Sequence, residues 1–593
     1  MLSNLRQLLG DTAFKSVWKR YLPLILITFI LLIFGKLCTV SLSWFVKNLV
    51  DTFSTNNKIN INEPISISSV LLFGYGIALI GNVGFNELKQ MLATKFTLRF
   101  MEEIAQHTFL HILRLPFDFF IGQKSGVITR DYERGLRGIQ SLSELLLYSA
   151  LPTAIELILI FSYIYLNYHG VIISVIGISV IIHISLSIKI SGRWAILREK
   201  YNNAESQCNQ RLNDCLINIE SVKLFCNEEL ETKKFVNTFR NYSRAFFESQ
   251  RYCAYLNTTQ QFILAIAVVF VLWNGYFDVQ NGVISIGDWV MLNSLLLQIY
   301  SPLNLLGIFY KDTRQSLVDI ETLVKLSTLP VEKNKNLNEF ELSGTPFISF
   351  ENIGFSYKKN LPILKDVSFN ITPNTFNAIV GHSGSGKSSL IKLLTRLQIP
   401  ENGYIFFNGV DLMDIDLKYL REFISVISQD NTLFNTTIFD NIRYGYSKIS
   451  EEDMINAAKL AHIHDFIMSL PNKYDTEVGE RGMKISGGQR QRLLIARALT
   501  RKPRILILDE GTSALDSITE KNILDLLHSI KNITIIMIAH KLTNIISADQ
   551  IVVFEKGKLV ATGKHYQLLN NSIYNELWIN STNHHETISK DIN

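Results

Sequence analysis

The sequence predicts two joined folds: a multi-pass α-helical membrane domain with six transmembrane helices, then an α/β domain built around a phosphate-binding loop. Three observations predict this. Six apolar stretches precede residue 311. A glycine-rich loop follows the apolar run at 376–380 and opens a helical stretch. Between them, a polar segment at 327–345, rich in Lys, Asn and Glu, marks a change of pattern.

The apolar stretches lie near 22–46, 68–90, 143–166, 170–190, 260–280 and 287–309. Each approaches the roughly 20 residues that cross a hydrocarbon core, and in lipid the backbone must satisfy its own polar groups, so these are helices. The third and fourth are joined only by Asn167, Tyr168, His169 and Gly170, a tight turn. The connections at 91–142 and 191–259 are long, charged and helical in composition, so they project beyond the bilayer. Arg99, Arg114, Lys124, Arg130, Arg134 and Arg137 in the first, with Arg6, Lys15, Lys19 and Arg20 near the amino terminus, mark the inner side. The α/β domain falls on that side too. Residues 1–21 predict a short amphipathic segment on the membrane surface. The expected organisation is therefore 1–21 surface segment, 22–320 membrane domain, 321–345 linker, 346–580 α/β domain and 581–593 polar tail.

The chain has 593 residues, too many for one core. Hydrophobic residues make up 47%, and the formal charge of +5 is small for this length. Membrane lipid is the expected surrounding, and nucleic acid is not an expected partner. The five cysteines form no CxxC pair, which predicts free thiols in a reducing compartment.

In the second domain, β-rich runs at 347–350, 376–380, 404–407, 424–427, 505–508 and 533–538 alternate with helical segments. Gly381, His382, Ser383, Gly384, Ser385, Gly386, Lys387 and Ser388, with Ser389 after them, form a P-loop in strand–loop–helix context. Its glycines let backbone N–H groups surround phosphate oxygens, and the helix start adds positive potential. Lys387 is expected to reach the β- and γ-phosphates of ATP, and Ser388 to ligate Mg²⁺. The apolar run 505–508 ends in Asp509 and Glu510. Asp509 suits the Mg²⁺ role, and Glu510 the base that polarises the attacking water.

Residues 485–491, with Ser486, Gly487, Gly488 and Gln489 at their centre, resemble the signature of the ABC transporter family, with Ile485 in place of the usual Leu. The resemblance implies an ABC exporter fold, ATP hydrolysis and a second half-transporter as partner. In the family this signature contacts the γ-phosphate of ATP held by the opposite subunit. It implies an adenine-stacking role for Tyr357, a link from the Mg²⁺ site to the membrane helices for Gln429, and a switch role for His540. Residues 476–482 resemble the exporter loop that touches those helices, and 513–516 the dimer-interface loop. Gly511 and Lys541 replace the common Ala and Arg. No catalytic position is degenerate, so a homodimer would form two complete ATP sites.

Within that family, residues 129–139, 216–223, 303–307 and 314–319 are similar to the mitochondrial, heavy-metal-tolerance exporters of glutathione compounds that serve cytosolic iron–sulfur protein assembly. The resemblance implies a glutathione pocket at Arg198, Asn257, Gln260, Asn304, Gly307 and Asp312. Asn257 and Gln260 are three apart and are expected to share a helix face. Trp194 occupies the place of a second pocket arginine, with Arg193 displaced by one. No long transit peptide is evident, which suits a mitochondrion-derived organelle such as a mitosome, with the ATPase domain on the matrix side, or a plasma or other internal membrane. An exporter of lipid, peptide or drug is the alternative. A nucleotide-gated channel without turnover is opposed by the intact Glu510 and His540.

Overall fold

The computed structural model describes the chain apart from residues 1–10, 56–66, 123–124, 169, 304–305, 333, 335–343, 358–360, 429–431, 447, 480–481, 483, 510–516, 531, 540 and 591–593. It divides into two compact units: Met1–Leu115 with Gln123–Pro330, and Pro116–Gly122 with Val331–Asn593.

The first unit is helical. Its long helices are Asp11–Thr55, Ile67–Leu113, Gly170–Ile217 and Glu228–Gln280, of 45, 47, 48 and 53 residues. At 1.5 Å per residue they run roughly 65–80 Å, more than twice a hydrocarbon core of about 30 Å. The inner connections therefore continue the spanning helices, as the sequence predicts. The third span is composite: Ser125–Glu144, a π-helical turn at Leu145–Ala150, then Leu151–Asn167. Pro152 explains the wide turn, because it cannot donate to the carbonyl four residues back. Five helices are long and apolar enough to cross a membrane among the described residues; the sixth apolar stretch is the shorter Ile286–Leu303, followed by Leu306–Ser327.

The expected surface segment is corrected in part. From Asp11 the chain is one helix with the first span, passing through Pro23 without a break. Residues 1–10 lie outside the described residues. The expected linker also starts later, because helix persists to Ser327 and the first unit ends at Pro330.

Helix packing in this unit is set by small residues and buried polar pairs. A Cβ at Gly135 would meet Leu323 Cβ at 2.4 Å, so the glycine lets Ser125–Glu144 lie close against Leu306–Ser327. Lys36 and Glu156 form an ion pair at 2.5 Å, nearly excluded from solvent. At the far end, Lys47 meets Asp288 at 2.6 Å, and Tyr168 donates to the same carboxylate at 2.9 Å.

The second unit holds two sheets. Strands β1 (Ile348–Ser356), β2 (Pro362–Ile371), β4 (Asn402–Phe407) and β5 (Val410–Asp411) form an antiparallel sheet in the order β2-β1-β4-β5. Strands β3 (Phe376–Gly381), β6 (Ile424–Ile427), β7 (Ile505–Asp509), β8 (Thr534–Ile538), β9 (Gln550–Glu555) and β10 (Lys558–Gly563) form the larger sheet, in the order β10-β9-β3-β8-β7-β6. All its neighbours are parallel except the β9–β10 hairpin. The central strands are buried on both faces, which is why they read as unbroken apolar runs. One core lies between the sheets and the helix Lys387–Leu394. The other covers the opposite face with the helices Glu451–Leu460, Gly487–Leu499 and Ser517–Ser529.

Candidate functional site

The site forms at the carboxyl end of the parallel strands, where open α/β sheets place their ligands. Register fixes who meets whom. Ile379, Ile538 and Asp509 are partners in one row across β3, β8 and β7. The loop after β3 and the carboxylate ending β7 therefore share one edge, although 128 positions separate Gly381 from Asp509 in sequence.

The loop needs its glycines for stated reasons. Gly381 sits at φ +151° with its Cα hydrogens against the Phe554 carbonyl; a Cβ would lie 2.2 Å from that oxygen. Gly386 sits at φ +101° against Leu364. This curled path leads into the helix Lys387–Leu394. Lys387 is buried, and its ammonium bridges the carbonyls of Gly381 at 2.8 Å and His382 at 3.0 Å, so the cation is held over the loop it serves. Ser388 points the other way and donates to Asp509 Oδ1 at 3.3 Å. A hydroxyl and a carboxylate brought together this way fit a hard, oxygen-seeking cation.

Tyr357 lies beyond β1 and packs edge-on against Phe355 at 4.9 Å. Lys392, one turn along the loop's helix, donates to the phenol oxygen at 3.2 Å, and Ser389 reaches it at 3.4 Å. The ring stays 42% exposed, leaving a face for stacking. Sequence reasoning missed Lys392; its place five residues after Lys387 was the available signal. Tyr357→Ala is expected to raise the KM for ATP about 5- to 10-fold, roughly 1–1.5 kcal/mol, with kcat little changed, and Tyr357→Phe to restore it. Steady-state ATPase assays on the reconstituted protein check this.

Ser486 caps the helix Gly487–Leu499 through a capping box: its hydroxyl accepts from the Gln489 amide, and Gln489 Oε1 accepts from the Ser486 amide at 2.9 Å. At the other end of that helix, Arg497 donates to the Asn441 carbonyl at 2.8 Å and side chain at 2.5 Å, and lies over the Phe434 and Tyr444 rings. Burial pushes its guanidinium down to about 10, which leaves it cationic at neutral pH. Arg497 thus fixes the signature helix to Ile438–Arg443, an anchor the sequence did not reveal. Gln429, Glu510, His540 and residues 513–516 lie outside the described residues. The strands leading to the first three, β6, β7 and β8, are adjacent.

In the helical unit the predicted pocket residues divide. The contacts Ser187–Gln260 and Tyr201–Phe246 set one antiparallel register between Gly170–Ile217 and Glu228–Gln280. That register puts Asn257, which is exposed, level with Ile190. Arg193, exposed, stands roughly 5 Å along the axis from that level and Arg198 roughly 12 Å. Trp194 between them is buried. Arg198 is half-buried, with its guanidinium 4.5 Å from the Tyr201 ring. Gln260 is 1% exposed and donates to Ser187 at 2.7 Å, so it packs between the two helices while Asn257 is exposed. A spacing of three rotates the direction by about 60°, enough to turn one amide inward. Asp312 is half-buried on Leu306–Ser327, whose backbone includes Gly307; Asn304 lies outside the described residues.

Comparison with known proteins agrees with this layout. Residues 25–303 match the family "ABC transporter transmembrane region", and residues 364–513 match the family "ABC transporter". The chain is 34% identical over 97% of its length to "Iron-sulfur clusters transporter ABCB7, mitochondrial" of Danio rerio, covering 79% of that protein. It is 34% identical to "Iron-sulfur clusters transporter ATM1, mitochondrial" of Chaetomium globosum, covering 93% of this chain and 92% of that one. It is 36% identical over 93% of its length to "ABC transporter B family member 24, mitochondrial" of Arabidopsis thaliana, covering 82% of that protein. A solved bacterial Atm1-family ABC exporter with ATP bound superposes with a TM-score of 0.83 at 32% identity, covering 95% of this chain and 98% of that one. A membrane unit, an ATP-binding unit and this extent of similarity establish that the chain belongs to the ABC transporter family, as an ATP-hydrolysing half-size exporter of the Atm1/ABCB7 group.

Proposed function

We propose that two copies of this chain pair into one exporter that moves glutathione-linked or sulfur-containing compounds out of a mitochondrion-type organelle, in support of cytosolic iron–sulfur protein assembly. The observation that carries this reading is similarity across nearly the whole chain to mitochondrial proteins, two of them named iron–sulfur clusters transporters. The exposed Asn257 and the neighbouring arginines supply amide and guanidinium groups suited to the carboxylates of a tripeptide.

In this reading each ATP lies between the P-loop of one copy and Ser486, Gly487 and Gly488 of the other. Pairing would cover the apolar tip of the second inner loop, where Ile217, Leu224 and Phe225 are 74–80% exposed. Ser388 and Asp509, with Gln429, would hold Mg²⁺, which when bound would neutralise phosphate charge. Lys387 leaves its carbonyls for the phosphates, Tyr357 stacks on adenine, Glu510 orients the attacking water and His540 contacts the γ-phosphate. The basic inner loops support an ATPase unit on the matrix side.

Reconstituted into liposomes, the protein is expected to hydrolyse ATP several-fold faster with oxidised glutathione and to move it in an ATP-dependent way. Stimulation by lipid or drug alone, with no glutathione transport, rules out the cargo and favours the alternative exporter reading.

A further inference from the structure

The chain that leaves the last membrane helix is fastened on both sides of a very short gap. On the membrane-unit side, His111 Nε2, at the end of Ile67–Leu113, meets the Leu329 carbonyl at 3.0 Å. Ser327 also approaches Thr108 at 3.5 Å. On the ATPase-unit side, Arg421 grips both oxygens of Glu332, at 3.0 and 3.1 Å. Asn334 then closes a second clasp: its amide donates to Asp416 at 2.8 Å and its oxygen accepts from the Leu417 amide at 2.9 Å. Only Pro330 and Val331 separate Leu329 from Glu332. Pro330 removes a further degree of freedom. A tether so short has almost no slack.

What the tether grips matters more than its length. Arg421 also donates to the carbonyls of Arg396 at 2.9 Å and Thr395 at 3.3 Å, just past the helix Lys387–Leu394 that starts at the P-loop. Arg421 itself lies in Leu417–Phe423, which runs without a gap into β6, and β6 leads to Gln429. One guanidinium therefore joins the linker to the rear ends of two elements whose front ends face nucleotide. Its donors are nearly all used, and the Glu332 fork is the kind of bidentate pair that fixes geometry as well as energy.

We propose that Glu332 and Arg421 are positioning residues of a linker strap that carries movement between the last membrane helix and the nucleotide site, through the P-loop helix and through β6 to Gln429. The strap acts on the chain's own covalent connection. It rests on the ATP-driven exporter assignment and not on the identity of the cargo.

The test uses the full chain in nanodiscs, with no cargo added. Mg-ATP is trapped with orthovanadate, and hydrogen exchange is compared before and after trapping. In the wild type, trapping is expected to change exchange both in 424–428 and in Leu306–Ser327. In Glu332→Ala, Arg421 keeps its carbonyl partners, so turnover and trapped nucleotide are expected to stay within about twofold of wild type. The response of Leu306–Ser327 is expected to fall at least threefold, with Glu332→Gln intermediate. A wild-type response of that helix in Glu332→Ala overturns the proposal. So does a loss of turnover in the same proportion, which would make Glu332 a fold residue only. Absence of any response of that helix in the wild type overturns it as well.

Discussion

Glu510→Gln is expected to lower ATP turnover by about 10²–10⁴-fold while ATP still binds, leaving the nucleotide trapped and the protein paired. β7 is fully buried until Asp509, so the chain emerges at the edge that carries the P-loop. Asp509 is engaged with Ser388, and Glu510 is the next residue along. An amide of the same shape can still hold a water by hydrogen bonding, but it cannot draw off its proton. Binding and pairing therefore survive and chemistry does not. Single-turnover kinetics, together with nucleotide retained through gel filtration, separate the two. Unchanged hydrolysis removes Glu510 from the base role.

The second large effect belongs to Gly381. Gly381→Ala is expected to cost roughly 2–5 kcal/mol of stability and to abolish ATP binding. The added methyl has no room, because the opposing atom is a backbone carbonyl held by the β3–β9 ladder, in which Gly381 pairs with Phe554. No side chain can swing aside to relieve it. Gly384→Ala is the control. Its φ is +78°, but nothing lies within 4 Å of the added carbon, so only the left-handed backbone penalty of about 1–2 kcal/mol applies. Thermal unfolding and nucleotide titration of both variants check the ranking. Equal losses would mean that strain, not the Phe554 contact, decides the position.

Much of this was legible in the sequence because two signals are strong. Lipid forces long apolar runs into helices, and a doubly covered parallel sheet forces apolar strands, so β3, β6, β7 and β8 stand out beside their loops. β2 did not stand out. It pairs antiparallel with one face outward, and Lys365, Asp366 and Asn370 interrupt its apolar pattern. β9 and β10 are joined by Lys556 and Gly557, both at positive φ, a tight hairpin turn whose Lys-Gly pair is a weaker cue than Asn-Gly. The burial of Gln260 against Ser187 was not legible, because spacing gives a direction only to within tens of degrees and the contact is a tertiary fact. The clasp of Glu332 and Asn334 on Arg421 and Asp416 was invisible for a related reason: a polar linker looks the same in sequence whether it is loose or fastened.

Under the proposed pairing, the capping box at Ser486 prepares the helix end that would meet the partner's nucleotide. Its two side chains are tied to the amides of Ser486 and Gln489, the first and last of the ring. The amides of Gly487 and Gly488 lie between them, on residues that carry no side chain of their own. The helix end, its cap already closed by its own side chains, is suited to receive an anion at the two glycine amides.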